Sequence, residues 1–120
     1  MPIDIATLGT IVLSCLLGSI GQVFLKTGLL NEKPEISIKL VTYLFKPNIF
    51  IGAALYAIAF LLWLVVLSRL ELSRAYPFLA LNFVFVQIFS FFLLGETITL
   101  GKIVGNTFII LGILLISILK

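Results

Sequence analysis

Residues 47–68 read PNIFIGAALYAIAFLLWLVVLS, twenty-two residues without a charged side chain. Three further uncharged apolar runs cover residues 5–25, 75–95 and 103–119, of 21, 21 and 17 residues. A helix needs about 20 apolar residues to cross the hydrocarbon core of a bilayer, with roughly 17 as the practical minimum. The sequence therefore predicts an all-α membrane protein with four transmembrane helices.

Composition supports the same fold class. Hydrophobic residues make up 62% of the 120-residue chain and charged residues 11%, whereas soluble domains average about 45–50% and 25%. We expect one domain over residues 1–120, with helices at about 5–30, 48–68, 75–95 and 100–119. Residues 36–46 are too short and too charged to span, and they predict a short interfacial helix between the first two spans.

Charge and reactive residues exclude several classes of function. The net charge of +3 comes from bases near the predicted helix ends, where phospholipid headgroups are the nearest anions, so nucleic-acid binding is not expected. The chain has one cysteine, Cys15, and no histidine. It offers neither metal-ligand spacing nor a nucleophile with a base, so we expect no metal, no cofactor and no enzymatic activity.

One face of the first helix is small and polar. Ser14, Gly18, Gln22 and Lys26 follow each other at intervals of four residues, which places them along one stripe. Such a stripe is costly against lipid and should face protein or a water-filled cavity. Close helix packing with a snorkelling Lys26 is the alternative interpretation.

Other polar and aromatic residues are candidates for the same site. Tyr56, Phe60 and Trp63 form an aromatic stripe on the second helix, either a pocket wall or ordinary packing. Asn82 in the third helix is typical of an interhelical hydrogen bond or a ligand contact. Glu96 ends that helix and either pairs with a lysine or is solvated.

The fourth helix carries glycines on one face. Gly101 and Gly105 form a G-x-x-x-G pattern, and Gly112 continues the face seven residues later. Glycines let helix backbones approach closely, so this face is the candidate contact with a second chain. Four helices hardly enclose an alternating-access path, so we expect a homodimer or a heterodimer with a paralogous subunit. The lysine and arginine distribution leaves the orientation, and a parallel or antiparallel dimer, open.

Five segments of the chain carry a family resemblance. They read GQVFLK (residues 21–26), WLVVL (63–67), AYPFLALNFV (75–84), GETI (95–98) and GNTFIILG (105–112). The chain closely resembles the four-helix, half-size, EamA-like members of the drug/metabolite transporter superfamily. Within that group it is most similar to the flippase subunits for 4-amino-4-deoxy-L-arabinose-phosphoundecaprenol. More distantly it resembles the Small Multidrug Resistance family, whose membrane-embedded glutamate is replaced here by Gly18.

The resemblance implies a flippase, or flippase subunit, in the bacterial inner membrane. It would move a polyprenyl-phosphate-linked sugar and serve lipopolysaccharide modification. The residues that match the family pattern are Gln22, Lys26, Tyr76, Pro77, Asn82 and Glu96, whereas Arg69 and Arg74 depart from it.

The matching residues can be given roles towards such a substrate. Lys26 is expected to attract the phosphate, helped by Arg74 if both reach one cavity. Gln22, Tyr76 and Asn82 are expected to hydrogen-bond the headgroup. A small-multidrug-type exporter of cations and a non-transporting accessory subunit of a membrane glycosylation system are the alternative functions.

Overall fold

The fold is all-helical. The computed structural model describes residues 4–30 and 32–119, which contain no β-strand. The long helices are α1 (Ile5–Gly28), α2 (Pro47–Arg69), α3 (Leu72–Leu94) and α4 (Leu100–Ile118), and a 3-10 helix covers Ile38–Phe45. By length and composition α1, α2 and α3 can each cross a bilayer, and α4 is a shorter apolar helix. The predicted class, an all-α membrane protein with a short helix between the first two spans, is confirmed.

Side chains cap two of the long helices. The Asp4 carboxylate accepts a hydrogen bond from the Thr7 backbone N–H at 2.9 Å and starts α1. This bond is the main reason why the pKa of Asp4 is lowered. The Thr99 hydroxyl accepts a hydrogen bond from the Lys102 N–H at 3.3 Å and caps α4. Helix α2 has no side-chain cap, and Pro47 occupies its first helical position, where the missing N–H of proline has no cost.

Helix α3 is irregular along its length. It begins at Leu72, three residues before the predicted start, and contains a 3-10 segment (Tyr76–Ala80) and a final π-helical turn (Ser90–Leu94). Pro77 accounts for the first irregularity, because it lacks an N–H and its ring crowds the preceding turn. Gly95 ends the helix at φ 72°, in the left-handed region that glycine adopts without strain.

Helices α1 and α2 pack backbone to backbone. A β-carbon added to Gly52 would lie 2.7 Å from the Gly21 carbonyl oxygen, and one added to Gly21 would lie 2.9 Å from the Gly52 carbonyl oxygen. The Ser14 hydroxyl donates to the Ala59 carbonyl oxygen at 2.9 Å further along the same interface. Because contacts move towards the start of α1 as they move towards the end of α2, the two helices are antiparallel.

A small apolar core lies near the first half of α1. Its buried members come from all four long helices, and they are Ile11, Cys15, Val66, Ala75, Phe78 and Ile113. Helix α4 reaches this core through Ile113, and its Asn106 amide donates to the Gln87 side-chain oxygen of α3 at 2.8 Å. These contacts fix α4 along one side and leave much of its surface exposed.

The connection between α1 and α2 is anchored by a lysine. Lys46 Nζ lies 2.6 Å from Glu32 Oε1 and 3.4 Å from the Gly28 carbonyl oxygen. The hydrogen bond and charge of Lys46 lower the pKa of Glu32. Ile36, Ile38 and Phe45 expose nearly all of their apolar surface, which is the amphipathic character expected of a segment at the membrane surface.

Candidate functional site

A groove runs along α1, between α2 and α3. Three adjoining cavities form the groove: a first around Gly18, a middle one, and a third at Lys26. The first and middle cavities share Tyr56, Leu79 and Asn82. The middle and third cavities share Gln22 and Val86. Every member of the predicted polar stripe, from Ser14 to Lys26, lines this groove. We call these three connected cavities the polar groove.

The first cavity surrounds Gly18 and measures about 220 Å³. Tyr56, Phe60 and Trp63 all stand on its wall, so the aromatic stripe of α2 faces a cavity. A β-carbon added to Gly18 would lie 3.7 Å from Asn82 Oδ1. The position that carries a glutamate in small-multidrug-type transporters therefore faces an amide, and none of the residues on this wall is acidic.

Asn82 is held by α1. Ser19 is fully buried, and its hydroxyl lies 2.7 Å from the Cys15 carbonyl oxygen and 3.1 Å from Asn82 Oδ1. A hydroxyl has one proton, and the two ends of an Asn side chain are assigned from the hydrogen-bond pattern. Ser19 donating to Cys15 while accepting from the Asn82 amide satisfies both groups. The other terminal atom of the Asn82 side chain makes no hydrogen bond within the described residues and remains available to the groove.

The middle cavity, of about 510 Å³, is crossed by a second side-chain pair. Gln22 Nε2 donates to the Tyr56 hydroxyl at 3.0 Å, which links α1 to α2. Both side chains are exposed, so a headgroup could exchange partners with either of them. Gln87 also lines this cavity. The Asn106 amide of α4 donates a hydrogen bond to the Gln87 side-chain oxygen and so orients the Gln87 amide group.

The third cavity holds two opposite charges. Lys26 and Glu96 line it together with Gln22 and Ser90, in a volume of about 240 Å³. Within the described residues, neither the Lys26 ammonium nor the Glu96 carboxylate has a protein partner. The ion pair in the described part of the chain joins Lys46 and Glu32, outside this cavity. Lys26 also lies in the last turn of α1, where the helix dipole favours a cation.

Two predicted site residues lie elsewhere. Tyr76 is 61% exposed and is not on the wall of the polar groove. Arg74 lines a different cavity, together with Arg69 and the end of α4. Arg69 ends α2, and the antiparallel register of α1 and α2 places it beside the start of α1. This cavity therefore lies about 33 Å from Lys26, measured along α1. Arg74 and Lys26 therefore do not share a cavity.

Some functional geometry was not predicted from the sequence. The Gly21–Gly52 contact and the Asn106–Gln87 hydrogen bond were missed. The interhelical hydrogen bond expected as one role of Asn82 is present, with Ser19 of α1 as its partner. The Asn106–Gln87 pair had a usable signal, because two amide side chains inside apolar helices need a partner.

The predicted glycine face of α4 lies open. Added β-carbons at Gly105 and Gly112 would meet no atom within 4 Å, and one at Gly101 would meet only the Thr99 hydroxyl, at 3.8 Å. None of these glycines is used to pack α4 against the rest of the chain. Among the described residues no cluster of cysteine and carboxylate side chains could hold a metal ion.

The apolar spanning helices define a small multi-pass membrane protein. Its polar groove ends at two charges that form no ion pair among the described residues. Sequence comparison gives the family: the chain belongs to the EamA-like transporter family, which it matches over residues 2–118.

Several relatives bear the name probable 4-amino-4-deoxy-L-arabinose-phosphoundecaprenol flippase subunit. ArnF of Photorhabdus laumondii subsp. laumondii is 36% identical over 116 residues, 88% of this chain and 91% of the relative. ArnF of Erwinia tasmaniensis is 43% identical over 70 residues, 57% of this chain and 55% of the relative. ArnE of Enterobacter sp. is 42% identical over 67 residues, 56% of this chain and 63% of the relative. No solved structure is significantly similar to this chain.

Proposed function

We propose that the chain is a flippase subunit of the bacterial inner membrane that translocates a polyprenyl-phosphate-linked sugar. The observation that carries this proposal is the polar groove, which offers hydrogen-bonding groups along α1 and, at its end, a lysine with no ion pair in the described part of the chain. The names of the ArnF and ArnE relatives support the same substrate class. Such a protein works by binding and release, without making or breaking a covalent bond.

The groove suits an amphiphilic substrate with a charged headgroup. Lys26 would bind the phosphate, and Gln22 and Asn82 would hydrogen-bond the sugar. A hydrogen bond from a charged group such as the lysine ammonium contributes about 1.5–3 kcal/mol to binding. Phe60 and Phe83 on the flanks are exposed, so a polyprenyl tail would remain in lipid and need no closed pocket.

The direct test is translocation in proteoliposomes that contain the chain, alone or with a co-expressed partner. Movement of a fluorescent polyprenyl-phosphate aminosugar across the bilayer is the expected result. Because no acidic residue lines the cavity around Gly18, we expect no proton-driven uptake of a lipophilic cation in the same vesicles. If only such cation uptake occurs, the flippase proposal is wrong. If neither occurs and a glycosyltransferase copurifies, the accessory-subunit function applies instead.

Glu96→Gln is expected to reduce translocation selectively for substrates that carry an amine. We propose that Lys26 and Glu96 bind opposite charges of one headgroup, because they line one cavity and form no ion pair with any residue that the structure describes. Translocation of the aminosugar lipid should fall roughly tenfold, the effect of losing about 1.4 kcal/mol. Its neutral hydroxyl analogue should move at an unchanged rate. Equal loss for both substrates would contradict the role of Glu96.

We propose that a second four-helix chain, identical or paralogous, completes the transport path. The exposed glycine face of α4 is our candidate for the contact, because Gly105 and Gly112 leave open space for another helix backbone. The similarity of the chain to both ArnF and ArnE subunits is compatible with a paralogous partner.

Gly105→Leu is expected to dissociate the complex while leaving the chain folded. A β-carbon added at Gly105 meets no atom of another described element within 4 Å, so a leucine there would extend outward and hold a partner helix away. Native mass spectrometry in mild detergent measures the oligomeric state, and Gly9→Leu serves as the matched control, since Gly9 is equally open but lies on α1. A fully dimeric Gly105→Leu variant would place the interface elsewhere.

A further inference from the structure

A basic cavity lies at the opposite end of the helices from Lys26. It measures about 620 Å³, and its walls come from the α2–α3 connection and the end of α4. Its polar wall carries Arg69, Ser73 and Arg74, together with Glu71. Its apolar wall is formed by Leu70, Leu115, Ile116 and Leu119.

The two arginines are available to a ligand. Arg74 is half-buried and Arg69 is exposed. Within the described chain neither guanidinium lies within 4.0 Å of a carboxylate, although Glu71 is on the same wall. Guanidinium groups bind phosphate with paired, parallel hydrogen bonds and stay charged at every physiological pH. Two guanidinium groups and the Glu71 carboxylate give this wall a net charge of +1, which favours an anion. The charge of Arg69 also acts on the Asp4 carboxylate at the start of α1, without an ion pair between them.

The position of this cavity follows from the antiparallel register of α1 and α2. Gly28 packs against Ile49, Gly21 against Gly52 and Ser14 against Ala59, so Arg69 falls beside the start of α1. Lys26 lies in the last turn of the same helix. The two cationic sites therefore stand at opposite faces of the membrane, separated by about the thickness of its hydrocarbon core.

We infer that the Arg69–Arg74 cavity is a second binding site for the phosphate of a lipid, on the membrane face opposite Lys26. The arginines and Ser73 would hold the phosphate, and the leucine and isoleucine wall would receive the first part of the tail. This inference rests on the proposed function for its choice of a polyprenyl phosphate. It adds a site of arrival or departure at the far end of the path.

The test is lipid retention in native mass spectrometry of the full chain, with undecaprenyl phosphate as the probe. Undecaprenol provides the same tail without phosphate, and inorganic phosphate provides the anion without a tail. In a Lys26→Gln background, the remaining site should retain undecaprenyl phosphate at least tenfold better than undecaprenol. Adding Arg69→Gln and Arg74→Gln should abolish this preference, whereas Arg69→Lys with Arg74→Lys should keep part of it.

Two results would overturn the inference. One is a phosphate preference that survives both arginine-to-glutamine changes in folded protein. The other is inorganic phosphate displacing the lipid at micromolar concentration, which would assign the site to the free anion. Membrane orientation depends on basic residues, so removing both arginines could change the orientation of the chain. The Arg69→Lys, Arg74→Lys variant keeps both charges and therefore separates a loss of phosphate binding from a change of orientation. Loss of translocation in Lys26→Ala is a separate result, so the proposed function and this second site can fail independently.

Discussion

Gly21→Ala is expected to destabilise the folded chain by about 2–3 kcal/mol, the upper range for one extra methyl group in a packed interface. The added β-carbon would lie 2.9 Å from the Gly52 carbonyl oxygen, 3.4 Å from Leu55 Cβ and 3.5 Å from the Tyr56 backbone nitrogen. These atoms belong to backbone or to a β-carbon, so no side-chain rotation can relieve the contact. Helices α1 and α2 must move apart.

Separating these helices has consequences for the site. The Gln22–Tyr56 and Ser14–Ala59 hydrogen bonds both cross the same interface, and Tyr56 is shared by two cavities of the polar groove. Chemical unfolding in mixed micelles measures the effect. The single tryptophan, Trp63, packs against the buried core and reports the transition by fluorescence.

The matched control is Gly9→Ala, the same chemical change in the same helix. Its added methyl group meets no atom within 4 Å, and alanine is the better helix former. Its free energy of unfolding should therefore stay constant or rise slightly. Equal destabilisation by both substitutions would show that the loss comes from the glycines themselves and not from the contact between helices.

The sequence was sufficient to predict the fold class, because length and absence of charge alone decide whether a segment can span a bilayer. It also predicted the stripe from Ser14 to Lys26, since the spacing of four residues is fixed by helix geometry. It was not sufficient to predict the contact between Gly21 and Gly52. Each glycine lies inside an apolar run, and which turn of one helix meets which turn of another depends on packing rather than on periodicity.

Arg74 shows a second limit of sequence reasoning. Its charge predicted an anion contact, and that part stays a prediction. The order of the spans alone places Arg74 and Lys26 at opposite ends, because successive membrane helices run in opposite directions, so a shared cavity was never compatible with that order. Lys26 and Glu96, 70 positions apart in the sequence, are brought to one cavity by the same arrangement. Glu96 follows the turn at Gly95, whose left-handed backbone ends α3.

Lys26→Ala is expected to reduce the rate of translocation of a polyprenyl-phosphate-linked sugar by about tenfold to a hundredfold. Among the described residues, Lys26 is the only cation on the wall of the polar groove. Removing one charge-assisted contact with phosphate costs about 1.5–3 kcal/mol. The side chain is exposed and makes no hydrogen bond within the described residues, so the variant should fold normally and lose only the binding of the substrate.

The control for this experiment is Lys39→Ala, which removes the same charge on the same side of the membrane. Lys39 lies in the 3-10 helix before α2 and not in the polar groove, so translocation should continue at the rate of the unmodified protein. Lys26→Arg should retain part of the activity, because it keeps the charge but changes the geometry of the donors. Full translocation by folded Lys26→Ala would refute phosphate binding at this lysine. Equal loss in Lys39→Ala would mean that surface charge in general, and not the groove, attracts the substrate.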